Sequence, residues 1–106
     1  MGIYPLFFSF VKGKLGLVNN ERSERVLQIL SLKIKSAREA AGLSKNELSK
    51  MTGLDRSTLR FVEDPTENPT ILTLIRISLA LDFDLGKALA ESFAEEREAN
   101  DGEPNS

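Results

Sequence analysis

The sequence predicts an all-α fold: a compact five-helix bundle with a helix-turn-helix, preceded by an apolar N-terminal arm or short hairpin. From Glu21 onward, apolar residues recur at helical spacing. Gly42, Gly53, Pro65 and Pro69 fall between those runs, where helix-breaking residues belong. Ser44, Asp55 and Thr70 each stand just ahead of a run, with side-chain oxygens suited to accept from the free amides that open a helix.

Taken in order, the arm comes first. Leu6 to Val11 and Leu15 to Val18 are strand-like runs around Lys12-Gly13-Lys14, so Met1 to Val18 reads as a hairpin or an extended arm. A lone two-stranded hairpin is marginal in water and needs a covering surface, either its own helices or a second subunit; a loose extension is the alternative. The apolar run falls far short of the roughly 20 residues that span a bilayer. Its lysines follow the apolar stretch, whereas a secretory signal places basic residues before it. No membrane association and a cytoplasmic location are therefore expected.

Val26, Leu30, Ile34, Ala37 and Ala41 recur at spacings of four, four, three and four, lining one face of a first helix that Gly42 closes. Ser44-Lys45-Asn46-Glu47 forms a capping box that starts a second, short helix carrying Leu48 and Met51 inward and ending at Gly53. Asp55 caps a third helix, Arg56 to about Glu63, with Leu59 and Val62 inward. Asp64 to Pro69 is a turn, because two prolines within five residues forbid continuation. Thr70 caps a fourth helix, Ile71 to Leu81, so apolar that it should be covered on more than one side. Asp84 begins a fifth through Leu85, Ala88, Leu89 and Phe93. The division is an arm over 1–20, a helical domain over 21–94 and an acidic, disordered tail over 95–106.

Composition narrows the function. With no cysteine and no histidine, the chain lacks thiol nucleophiles, the commonest zinc ligands and the usual proton-transfer side chain. Nothing groups a nucleophile, a base and an orienting residue, so no enzyme, metal or cofactor is expected. Residues 1–62 hold 11 Lys/Arg against 5 Asp/Glu and residues 63–106 hold 3 against 11, so the net charge of −2 conceals halves of +6 and −8. A polyanion is attracted to the first half, and a low overall charge is no argument against nucleic acid.

Counted from Lys45, positions four, ten, fifteen and eighteen are Leu48, Leu54, Leu59 and Val62, with small Ser49 at five and glycine at nine. A small residue at five lets two helices approach, glycine at nine permits the sharp turn, and the apolar set fixes the second helix across the first. On these residues the chain resembles the Cro-like and phage-repressor-like helix-turn-helix regulators of the Xre type. The resemblance spans about residues 30–90. It is carried by Ile34, Arg38, Gly42-Leu43-Ser44, Glu47-Leu48, Gly53-Leu54, Arg56-Ser57-Thr58-Leu59, Glu63, Asn68-Pro69, Thr73-Leu74 and Ala80-Leu81.

The resemblance implies a five-helix, repressor-like domain that docks its third helix in the major groove of double-stranded DNA, as a homodimer on two-fold symmetric sites. Base-reading positions fall on Lys45, Arg56, Ser57 and Phe61, with Thr58 and Arg60 on the same rim. Arg56 suits a guanine, Ser57 and Thr58 suit base edges or phosphates, and Phe61 suits a thymine methyl. Lys45 and Asn46 open the second helix, where free amides and the positive dipole end favour a phosphate, and Lys50, Lys33 and Lys35 add attraction. Arg38 and Glu63 match positions that pair inside such domains. Asp64-Pro65-Thr66-Glu67 departs from the family, which places a basic residue and glycine there, and implies a lost phosphate contact. Leu72 and Leu79 replace common polar residues, so a homodimer contact or packing of the arm in cis is implied. The competing reading is an antitoxin-like protein-interaction module, gripping a protein partner through the arm or the acidic tail, with weak or no DNA binding.

Overall fold

The computed structural model describes residues 20–63 and 68–101; the expectations for the arm, for the acidic Asp64–Glu67 segment and for residues 102–106 lie outside them. Five helices follow in order: α1 Asn20–Ala40, α2 Lys45–Thr52, α3 Arg56–Glu63, α4 Ile71–Leu81 and α5 Leu85–Asp101. Among the described residues, the all-helical class and the five helices are as the sequence predicts. No described helix is long and apolar enough to cross a membrane.

Local chemistry sets the boundaries. Gly42 turns the chain out of α1 at φ 72°, and Leu43 N–H donates back to Arg38 O at 3.2 Å. Ser44 Oγ accepts from Glu47 N–H at 3.0 Å while the Glu47 carboxylate accepts from Ser44 N–H at 2.9 Å, the reciprocal cap expected from the sequence. Asp55, Thr70 and Asp84 accept in the same way from Thr58, Thr73 and Lys87. α4 ends without a glycine: Asp82 itself takes the left-handed conformation, at φ 51°, a region that aspartate enters more readily than most residues.

Every helix feeds the same core, made by Leu30 and Ile34 from α1, Leu48 from α2, Leu59 and Val62 from α3, Leu74 and Ile77 from α4, and Ala88 from α5. Fully burying one such leucine contributes about 1.5–3 kcal/mol, so Leu59 and Val62 alone commit α3 to a fixed seat. α1 lies along α5, α3 rests on α1 and α2, and α2 meets α4.

Several expectations need correction. α5 is helical through Asp101, so residues 95–101 are not a disordered tail. The Ala88, Ser92 and Glu96 face of α5 turns inward at four-residue spacing, and the last of these is tied to α1. Phe93 is correspondingly exposed. The buried line of α1 ends in Arg38 rather than in Ala37 and Ala41. Met51 is 55% exposed, because α2 is too short to bring a second large side chain under the core after Leu48. On α4, Ile71, Leu72, Ile75 and Leu79 are exposed, the last by 77%, so among the described residues of one chain that stripe faces outward; the arm and a second subunit, the two covers expected for it, lie outside them.

Candidate nucleic-acid interface

Two short helices of eight residues each, α2 and α3, form the candidate site. Glycine at φ 74° turns the chain between them, and Gly53 N–H donates to Ser49 O at 2.9 Å. At about 100° per residue, Leu59 and Val62 mark the inner side of α3, with Ser57 and Arg60 turned away from it and Arg56 on its flank. All three are exposed and Thr58 is half-exposed. Phe61 belongs to the same helix. On α2, Asn46 and Lys50 are exposed four residues apart and Lys45 is half-exposed.

The far end of α3 is anchored by a buried ion pair. Arg38 Nε and Nη2 donate to the two Glu63 carboxylate oxygens at 2.7 and 3.0 Å, and Nη1 donates to Leu43 O at 2.7 Å. The forked geometry satisfies both carboxylate oxygens, and the Glu63 hydrogen bond raises the Arg38 pKa above its ordinary value. Both side chains are structural, as the sequence pattern implies.

Charge is distributed less simply than the sequence halves suggest. Arg22 Nε and Nη2 grip Glu96 at 2.8 to 3.1 Å, and Arg25 adds a contact at 3.2 Å. The Arg22 hydrogen bonds, with Arg25 behind them, hold the Glu96 carboxyl below the usual range. Lys33, expected to help attract a polyanion, instead meets Glu95 at 2.6 Å and Glu91 at 4.0 Å, and the Glu95 bond raises its pKa. With Arg38, four basic residues of the positive half are thus matched by carboxylates of the negative half. Lys35, Lys50 and Arg56 remain exposed, and Lys45 partly so.

Carboxylates also stand at both helix starts. Glu47 is held below its ordinary pKa by the Ser44 amide, and Asp55 by the Thr58 amide. The cap at α2 occupies two donors, the Ser44 and Glu47 amides, and that at α3 occupies the Thr58 amide, and each places negative charge beside Lys45 or Arg56. The attraction for an anion expected at the α2 start is therefore weaker than helix polarity alone would make it.

The sequence reading treats Ser49 only as small and gives Thr52 no role. Ser49 Oγ donates to Leu54 O, and Thr52 Oγ1 donates to Leu48 O at 2.8 Å while accepting from Leu54 N–H at 3.2 Å. Two hydroxyls flanking a turn glycine were the available signal. The Arg22–Glu96 contact had none, because 74 residues separate the partners.

A family model described as helix-turn-helix matches residues 34–87, just over half the chain, from the middle of α1 into the first turn of α5. No curated protein and no solved structure matches it.

Proposed function

The chain belongs to the helix-turn-helix family of Cro-like, Xre-type DNA-binding regulators, and from that premise we propose that it is a sequence-specific transcriptional regulator that inserts α3 into the major groove of double-stranded DNA. One observation carries the proposal: Arg56, Ser57 and Arg60 are exposed on a helix that Leu59 and Val62 seat in the core and whose last residue, Glu63, is paired with Arg38, so an anchored helix presents a polar side to solvent. Arg56 pairs with a guanine, Ser57 and Thr58 reach base edges or phosphates, and Phe61 meets a thymine methyl. Lys45, Asn46 and Lys50 face the backbone, where they position without reading sequence.

A homodimer accompanies this reading. Ile71, Ile75, Leu79 and Leu72 form one exposed apolar stripe on α4, and a self-complementary contact between two copies would cover it. The same stripe favours the competing module that binds a protein partner and only weakly holds DNA.

Selection of bound duplexes from a random pool, followed by gel-shift titration in salt, separates the two readings. A regulator enriches a two-fold symmetric sequence and loses affinity steeply with salt. No binding at low salt overturns the regulator and leaves the interaction module.

A further inference from the structure

Between α2 and α3 the chain spends only Gly53, Leu54 and Asp55 on a sharp change of direction. Glycine is the least constrained residue, so it permits this turn without selecting it. What selects it is the treatment of Leu54. Its N–H donates to Thr52 Oγ1 at 3.2 Å and its carbonyl accepts from Ser49 Oγ, so both main-chain polar atoms are held by hydroxyls of α2. Each hydroxyl has one proton to give. Thr52 gives its own to Leu48 O at 2.8 Å, which leaves an oxygen lone pair for the Leu54 amide. The Leu54 side chain packs against the core, so the residue is fixed on three counts.

Two residues later α3 begins, and the lever is long. Eight residues at about 1.5 Å each give a helix of about 12 Å, so a tilt of about 10° at one end moves the other by about 2 Å. Recognition tolerates about 0.5 Å. Arg38 and Glu63 secure the distal end of α3, whereas Arg56 and Ser57 stand at the proximal end, beside the Leu54 peptide.

The geometry points to Ser49 and Thr52 as positioning residues that set the proximal end of α3, so that discrimination between DNA sequences depends on these two hydroxyls; this rests on the DNA-binding reading above. The family pattern asks only for a small side chain at Ser49, and alanine would satisfy that demand. The hydroxyl does something alanine cannot.

The test uses the full chain, the duplex enriched by selection and a scrambled duplex of equal length at one salt concentration. Ser49→Ala and Thr52→Val should each lower the ratio of specific to non-specific affinity by about fivefold, the worth of one ordinary hydrogen bond. Scrambled-duplex affinity and salt slope should stay as in the wild type, and Thr52→Ser should restore the ratio. Amide hydrogen exchange should speed up at Leu54 in Thr52→Val and at Leu59, whose amide donates to Asp55 O at the entry to α3, in both variants. If Thr52→Val fails to fold, Ser49→Ala keeps the turn's other bonds and carries the test. An unchanged ratio in a folded variant overturns the inference, as does an equal fall on both duplexes. A wild type that binds neither duplex overturns the DNA-binding reading and this role in discrimination. The exchange rates still decide whether the hydroxyls set the start of α3.

Discussion

The α1–α5 seam and the α2–α3 hairpin use the same residue types for opposite ends. In the seam, Arg22, Arg25 and Lys33 meet Glu96, Glu95 and Glu91 from the far end of the chain, and the charges close on one another. In the hairpin, Lys50 and Arg56 stay exposed. A basic residue of the first half is thus structural where a carboxylate of the second half reaches it, from α5 or, for Arg38, from α3. Charge counted along the sequence cannot make that distinction, because the two halves are folded against each other.

The strongest challenge to this contrast sits on the border between the regions. Removing one partner of a shielded, forked pair strands a charge, so Arg38→Ala should cost about 3–5 kcal/mol in urea unfolding and abolish DNA binding through loss of the fold. A variant within 1 kcal/mol of wild type, on the order of an exposed pair, would remove Arg38 from the scaffold. Arg56→Ala should do the reverse. Specific affinity should fall by about 1–3 kcal/mol while the melting temperature stays nearly fixed, a pattern that gel shift and calorimetry together can read.

Acid sharpens the seam. Glu96, Asp55 and Glu47 all have folded-state pKa values below their ordinary ones. Their stabilisation is complete above the unfolded carboxylate range of about 3.9–4.3 and is lost as pH falls through the lower folded values. Thermal unfolding from pH 6 to about pH 2 should therefore show a declining midpoint, and Glu96→Gln should start lower and decline less. An identical slope in the variant would mean that Glu96 contributes nothing to the acid response. The smallest effect compares two lysines: Lys50→Gln should reduce the salt slope of DNA binding by about 1, whereas Lys33→Gln should leave it unchanged. Equal slopes would erase the difference between the two regions.

Much of the fold was legible because its signals are local. Periodicity marked all five helices, and the caps at Ser44, Asp55 and Thr70 act through side chains within three residues of the amides they satisfy. The Arg38–Glu63 pair was legible through family pattern. Other features had no local signature. Residues 95–101 look like a polar tail, and only Arg22, Arg25 and Lys33, more than 60 positions earlier, supply a reason for helix there. Met51 matched the inward spacing of α2 but falls in its last turn, beyond the reach of the core. Candidate contacts on α3 were readable because spacing alone decides which side Leu59 and Val62 occupy. The work of Ser49 and Thr52 was not, since a hydroxyl and a methyl look equally small in a pattern.

The grip of Glu96 on α1 also makes the carboxyl-terminal third of α5 a guard on selectivity. A protein cut after Ala94 would keep both short helices and the core residues named above, yet Arg22 and Arg25 would lose Glu96 and Lys33 its nearer carboxylate. If α3 reads DNA as proposed, such a truncated protein should hold any polyanion more tightly while gaining no base contact, so proteolysis at that point would blunt its choice of target without touching α3.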